Sequence, residues 1–388
     1  KNMTYTTDAM SHGIGNDQVS KQWFSRPDDQ RFTSLSDVYS FKANDAAKMS
    51  ASIVNTHRTN VVGDIETNGL KVQYTDENNQ DAEKTPTNWS FQQLANLAKA
   101  PASYLHNLPS TLAADCMNWG LRYQRDKELI KTYGGLGELR ACTGPDYGRI
   151  YDWEIIKSVM NMNEGTGNRW KIPGQMTGMR DGMAVYDPDY PITRENTTLF
   201  ASDRDIFLFL VDDKNPIEVG KTARGEPDLM FRGFYAWNSE VGSKTAGFAS
   251  MYLRGVCANR CLWGVEDFSE VKIRHSKFAS DRFADEAIPA LNSFVEGSTQ
   301  KIVDGVQKAK EAIIATEDEK RLEFLTKRVG LSQRMAKAAV ARHLEEEDKP
   351  MNSIWDTVQA ITAVARDIPH QDNRVTLEKK ASALLEKV

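Results

Sequence analysis

The segment RDIFLFLVDDKNPIEVG, residues 204–220, decides the fold class of this chain. Its first half is an apolar run rich in β-forming residues, and DDKN followed by Pro216 is a turn signal, so the segment predicts a hairpin. Similar runs separated by Gly, Pro, Asp and Asn fill residues 138–276, and one helical segment, DWEIIKSVMNMN at 152–163, interrupts them. The pattern predicts an α+β fold, a mostly antiparallel sheet with flanking helices.

The chain before this region is more polar. Residues 1–88 predict a partly extended N-terminal segment with short strands, seen in DVYSF at 37–41 and around the hairpin signal Asn68-Gly69. Two helical segments follow, one over residues 89–98 and one with Leu112, Cys116, Trp119 and Tyr123 in helical spacing. These helices and the strands are predicted to form a core domain over residues 89–290.

The end of the chain has a different period. Residues 291–388 repeat apolar side chains at i, i+3 and i+4, and Gly330, Pro350 and Pro369 divide the repeats into separate segments. An all-α C-terminal region is therefore predicted.

Composition and charge narrow the class of protein. The 388 residues carry a net charge of −5, which argues against a uniformly basic coat for nucleic acid but permits a local basic patch. Four cysteines, with Cys116 and Cys142 isolated, are too few for a secreted disulfide framework. No apolar run approaches the roughly 20 residues of a membrane span. We expect a soluble protein of a reducing cytoplasm, without a membrane partner.

Sites for metals and cofactors are weakly indicated. Cys257 and Cys261 form a C-x₃-C pair without further ligands nearby, so packed thiols are the preferred interpretation, and neither a metal nor a cofactor is expected. The four acids of SDRDIFLFLVDD lie at opposite ends of a strand, about 20 Å apart at 3.3 Å per residue, which favours strand-end and turn acids over a metal site. These acids are Asp203, Asp205, Asp212 and Asp213.

Basic and aromatic residues interleave in three strands. In EVKIRHSKF, residues 270–278, alternation would bury one face and expose cations on the other. MYLRGV at 251–256 and FRGFYAWNS at 231–239 have the same form, and neighbouring strands of this kind would offer cations to phosphates and rings to bases. A solvated strand face over core aromatics is the alternative. The predicted contacts are Arg232, Tyr252, Arg254, Arg260, Lys272, Arg274 and Lys277.

A second basic feature lies near the end of the chain, in TKRVGLSQRMAKAAV, residues 326–340. It resembles a helix-turn-helix, with Gly330 at the turn and Ser332 capping the second helix. Two interpretations stay open: a helix pair with a solvated basic face, and a surface that meets DNA or a protein partner.

Five blocks in order resemble the phage/plasmid-like proteins, a domain-of-unknown-function family numbered 932: WFSRPDDQRFTSLSDVYSF, LANLAKAPASYLHNLPSTLAADCMNWGL, LRACTGPDYGRIYDWEII, YLRGVCANRCLWG and VKIRHSKFASDRF. They span about residues 20–290. Arg254, Val256, Cys257, Asn259 and the Ile-Arg-His of residues 273–275 match the family's pattern, whereas Arg260 and Cys261 depart from it. The resemblance implies a mobile element in a bacterial host cell and a setting of replication, recombination or counter-defence. It carries over no catalytic residue.

These features predict a non-enzymatic protein that binds single-stranded DNA and assists recombination or replication of a phage or plasmid, by strand annealing as a homo-oligomer. Expected partners are single-stranded DNA, further copies of the chain, and a host or phage replication or recombination protein. One alternative is a metal-dependent nuclease that uses Asp203 or Asp205. The other is a counter-defence protein that binds a host factor through its C-terminal helices.

Overall fold

The computed structural model is described for residues 26–123, 128–135, 137–180, 183–222, 225, 227–254, 260–261, 271–366, 377 and 380–385, and for the backbone alone at 175–180, 183–185, 251, 253–254, 260–261, 295 and 301. Residues 1–25, the start of the expected N-terminal segment, therefore lie outside the described residues.

A closed five-stranded barrel forms the first half of the fold, in the strand order β2-β3-β4-β6-β5. All its pairs are antiparallel except β4 with β6, which is parallel. Counted along the chain this is the order 1-2-3-5-4, with helices between the third and fourth strands, which is the connectivity of an OB-fold barrel. The strands are β2 (Ser50–Asp64), β3 (Gly69–Asp76), β4 (Asp81–Pro86), β5 (Leu129–Gly135) and β6 (Glu138–Thr143).

Local sequence signals explain the barrel's turns and helices. Asn68 adopts a φ of 53° between β2 and β3, as the hairpin signal predicts. The side chain of Thr87 caps the helix that follows β4 by accepting a hydrogen bond from the amide of Ser90. The barrel joins strands from both sides of residue 88, so the expected segment boundary falls within one closed unit. The helices are α2 (Asn88–Leu97), α3 (Ala102–Leu105) and α4 (Ser110–Tyr123).

The second half is built on a seven-stranded antiparallel sheet, in the order β1-β9-β10-β11-β12-β13, with β14 also pairing β12. Together with the barrel and the helices it confirms the α+β class. The strands are β1 (Arg31–Phe32), β9 (Leu199–Ala201), β10 (Ile206–Lys221), β11 (Pro227–Asn238), β12 (Ala246–Arg254), β13 (Arg260–Cys261) and β14 (Val271–Ile273); β7 (Gln175–Arg180) and β8 (Met183–Asp187) form a separate hairpin.

The expected hairpin turn at DDKN is wrong. Strand β10 runs through it to Lys221, and the register against β11 shifts between Asp212 and Ile217. This is a β-bulge, a place where a strand tolerates Pro216 because a ladder hydrogen bond is already missing. At this bulge the buried Asp212 and Asp213 form ion pairs with Arg169 and Lys171.

Helices cover one face of this sheet and form the largest apolar core with it. DVYSF, expected in an extended segment, lies in α1 because Ser34 caps a helix there, accepting from the amide of Asp37. The C-terminal region is mostly helical, as predicted, and none of the described helices is both long and apolar enough to cross a bilayer. The helices are α1 (Leu35–Ala46), α5 (Asp152–Gly165), α6 (Ala279–Arg282), α7 (Ile288–Glu296), α8 (Gln300–Glu311), α9 (Asp318–Glu323), α10 (Gln333–Glu347) and α11 (Ile354–Arg366).

Candidate nucleic-acid interface

Two of the predicted contact residues are interior. Arg232 and Tyr252 are opposite each other in the β11/β12 register, with 8% and 3% of their surfaces exposed. The Arg232 guanidinium donates to the carbonyl of Gly297 and hydrogen-bonds Tyr252, whose ring meets Phe294 edge-on at 6.0 Å. The pair therefore fastens the sheet to α7, and the surface of the chain does not present it to a ligand.

The cations of β14 and the residues after it are exposed, as their alternation with buried Ile273 predicts. However, Lys272 is opposite Gly247, whereas the core residue Ile273 is opposite Ala246. Residues directly opposite share a sheet face, so Lys272 lies on the face of Gly247. Tyr252 is an even number of residues along β12 from Ala246 and lies on the other face, so Lys272 and Tyr252 are on opposite faces. The expected single face is therefore divided between a buried side, with Arg232 and Tyr252, and an exposed edge, with Lys272, Arg274 and Lys277.

For the two remaining predicted contacts, the structure describes only the backbone. Arg254 is opposite Met230 and Arg260 is opposite Leu253. Their side chains, like the whole of Cys257, lie outside the described residues.

Three of the four predicted acids face cations instead of one another. Asp205 lies 2.8 Å from Arg26 and 2.7 Å from Lys244. At the other end of the strand, Asp212 lies 3.6 Å from Arg169 and Asp213 lies 2.9 Å from Lys171. Within the described part of the chain no three His, Cys, Asp or Glu side chains are grouped to hold a metal. This geometry gives no support to a two-metal nuclease centre.

Of the isolated cysteines, Cys142 packs in the barrel, where burial raises the pKa of its thiol to about 12. A thiol held in its protonated form is a poor nucleophile and a poor metal ligand. The packed-thiol interpretation of Cys257 and Cys261 stays a prediction, because their side chains lie outside the described residues.

An exposed aromatic pair lies on the outer side of α4. Trp119 and Tyr123 are 63% and 67% exposed, with ring centroids 4.5 Å apart, and Arg122 is exposed beside them. They point outward because Met117 and Leu121, on the other side of the helix, pack into the barrel core. The apolar spacing of this helix was visible in the sequence, but the stripe it identified is the exposed one. Exposed apolar stripes of this kind commonly mark interaction sites.

A cleft of about 550 Å³ lies next to the pair, between α4 and β2. The side-chain amide of Asn118 donates to the carbonyl of Val61 at 2.8 Å and accepts from its N–H at 2.7 Å. Asn118 thereby satisfies the two backbone groups of Val61 that a neighbouring strand would otherwise pair at this edge of β2. The lining residues include Asn60, Val62, Thr111, Asp115, Trp119 and Arg122.

The outer face of β3 and β4 is chemically different. Lys71 and Gln73 both reach Glu83, at 2.9 and 2.8 Å, and Thr75 donates to Asp81 at 2.8 Å. OB-fold barrels commonly bind oligonucleotides on their second and third strands, which here are these two. Their polar groups satisfy one another, whereas the exposed ring pair lies on α4.

A buried polar network joins the barrel to the sheet. Glu240, just after β11, accepts from the hydroxyl of Tyr133 at 3.0 Å and from the amide of Asp152 at 2.7 Å. Lys42 lies 2.9 Å from the Asp152 carboxylate and donates to the carbonyl of Ser202 at 3.0 Å. Burial, together with the charge of Glu240, raises the pKa of Asp152 to about 7 despite Lys42. The network positions the barrel against the sheet.

Comparisons of the chain with protein-family models, with curated proteins and with solved structures found no match.

Proposed function

We propose that this protein binds single-stranded DNA without catalysing a reaction, and that the outer side of α4 is the contact surface. The observation that carries the proposal is the exposed pair Trp119 and Tyr123 beside Arg122, on a barrel with OB-fold connectivity. Proteins that bind single strands combine such stacking rings with cations for the phosphates. The connectivity alone would not suffice, because one fold hosts many functions.

The α4 surface offers each kind of contact that a single strand needs. The faces of the two rings accept bases, and the exposed Arg122 lies within reach of the phosphates between them. Asp115, in the adjoining cleft, accepts hydrogen bonds from the exocyclic amines of a base and disfavours phosphate there. These contacts bind most sequences, as annealing requires.

The exposed edge at Lys272, Arg274 and Lys277 fits the same proposal as a contact for the backbone of the strand. Arg254 and Arg260 stay in the proposal on their sequence pattern alone. The resemblance to the phage/plasmid-like family supports a role in recombination or replication of a mobile element, with annealing carried out by an oligomer in the host cytoplasm.

Truncating the aromatic pair tests the proposal. Trp119→Ala/Tyr123→Ala should weaken binding of a single-stranded oligonucleotide by at least about 30-fold, since each stacked base contributes roughly 1–3 kcal/mol. Fluorescence anisotropy measures the affinity, and thermal unfolding checks the fold. Tyr104→Ala, which removes a ring that is 60% exposed on α3, is the matched control and should bind normally. Normal binding by the double variant would contradict the proposal.

Charge reversal tests the basic edge. Lys272→Glu/Arg274→Glu should weaken single-strand binding and lower the slope of log affinity against log salt by about 1.4, two contacts at about 0.7 each. Both side chains are exposed, so unfolding should stay near that of the wild type. An unchanged salt slope would show that this edge does not contact the strand, and the proposal would then depend on the α4 surface alone.

A further inference from the structure

Two helices joined by a short turn lie near the end of the chain, where the sequence resembles a helix-turn-helix. Helix α9 continues through a wider turn of helix, Phe324–Arg328, and the chain then turns at Gly330, whose φ is 74°. Ser332 caps α10 by accepting from the amide of Met335 at 3.3 Å. The single-strand proposal leaves this element without a role.

Helix α10 has one covered and one bare side. Ala336, Ala339 and His343 are buried, and this side packs on α11. The opposite side is exposed along the whole helix and carries small or polar side chains over its first nine residues. The exposed residues are Gln333, Arg334, Lys337, Ala338, Ala341, Leu344 and Glu345.

The cations are concentrated at one end of this bare side. Arg328, Arg334 and Lys337 are exposed and have no ion pair with any described acidic residue, and Lys380 donates to the carbonyl of Gly330 at 3.0 Å. Lys327, by contrast, is neutralised by Glu323 at 2.7 Å. The acidic end of α10, around Glu346, lies about 14 Å beyond Lys337, at 1.5 Å per residue. The surface is therefore positive at the turn and negative at the far end.

We propose that this surface, which we call the turn patch (Arg328, Gln333, Arg334, Lys337, Ala338 and Lys380), binds double-helical DNA. An α-helix with side chains is about 10–12 Å across and fits the major groove, which is about 12 Å wide. In helix-turn-helix proteins the first residues of the second helix meet the base edges, and here these are Gln333, Arg334, Lys337 and Ala338. Arg328 and Lys380 then neutralise phosphates on either side of the groove.

The partner follows from the charge and shape of the patch. Its cations surround a helix whose bare side has the small Ala338 and Ala341, which permit close approach of base pairs. No ring is exposed among the described residues of the patch, so it lacks the stacking platforms of a single-strand site. The proposal is separate from that for α4: one surface takes single strands and the other takes duplex.

Charge reversal in the full-length protein tests the turn patch. Arg334→Glu/Lys337→Glu should lower affinity for a DNA duplex at least about tenfold, because each good contact between such a side chain and a base edge contributes about 1–3 kcal/mol. Affinity for a single strand should stay within about twofold. Lys48→Glu/Lys157→Glu reverses two exposed cations elsewhere and is the control for net charge. Unchanged duplex affinity, or an equal loss in the control, would overturn the proposal.

A second variant tests groove insertion apart from charge. Ala338→Trp adds bulk on the exposed side of α10 without changing charge, so it should reduce duplex affinity while single-strand affinity and thermal unfolding are retained. Duplex binding equal to the wild type would show that α10 does not enter the groove. Trp119→Ala/Tyr123→Ala, measured with the same duplex, should bind normally, so failure of either proposal is recognised independently.

Discussion

Replacing Lys42 with Met should lower the free energy of unfolding by about 3–5 kcal/mol, since it removes one partner of a buried ion pair. Lys42 is 1% exposed and lies 2.9 Å from the carboxylate of Asp152, which is itself fully buried. Burial and Glu240 already disfavour the charged form of Asp152, so without the lysine the carboxyl must take up a proton or remain an unpaired buried charge, and both cost stability. Urea unfolding followed by circular dichroism measures the change.

A double-mutant cycle separates the ion pair from loss of packing. Lys42→Met/Asp152→Asn should be more stable than Lys42→Met, because no buried charge is then left without its partner. Lys48→Met removes an exposed lysine a few residues away and should change stability little. If Lys42→Met were as stable as Lys48→Met, the buried pair would not hold this junction.

The junction matters because it holds the barrel, which carries α4, against the sheet. Tyr133 belongs to the barrel, Asp152 to α5 and Lys42 to α1, and all three are connected through Glu240 or its partners. Such a network positions its members only while every polar group has a partner. The single-strand surface on α4 therefore has a set orientation relative to the sheet and its helices.

The parts of the fold that the sequence predicts correctly depend on neighbouring residues. Asn68 at the β2/β3 turn, the turn at Gly330 and the cap at Ser332 are all local conformations with their own residue preferences. Closure of the barrel is different, since it pairs Thr85 with Glu138 across a long stretch of chain. No local period encodes that pairing, so the barrel was not predicted.

The candidate site shows the same limit for side chains. Alternation correctly separates Lys272 from Ile273, but it does not tell which face of a sheet helices will cover. Arg232 therefore had the pattern of a surface cation and is buried against α7. Trp119 had the spacing of a core residue and is exposed, because the helix turns its other side to the barrel.

Asp205→Asn should cost about 3–5 kcal/mol of unfolding free energy at neutral pH, because it leaves the buried Arg26 and the largely buried Lys244 without their counter-charge. Asp205 is 5% exposed and lies between Arg26, at 2.8 Å, and Lys244, at 2.7 Å. These cations outweigh the opposing effect of burial and hold the pKa of the Asp205 carboxyl far below its usual range. Guanidinium chloride would screen the ions, so urea is the denaturant of choice.

The same pKa fixes the sign of the pH dependence. A carboxyl whose folded pKa lies below its unfolded value of about 3.9 stabilises the fold above that pH, and this stabilisation is lost as the pH falls toward the folded pKa. The wild type should therefore lose stability in acid while Asp205→Asn lacks this loss, so the difference between them narrows below about pH 4. Asp189→Asn breaks the exposed pair with Lys214 and should change stability little. A difference that stayed constant from neutral pH into acid would mean that the asparagine acts through packing and that Arg26 and Lys244 do not depend on the carboxylate.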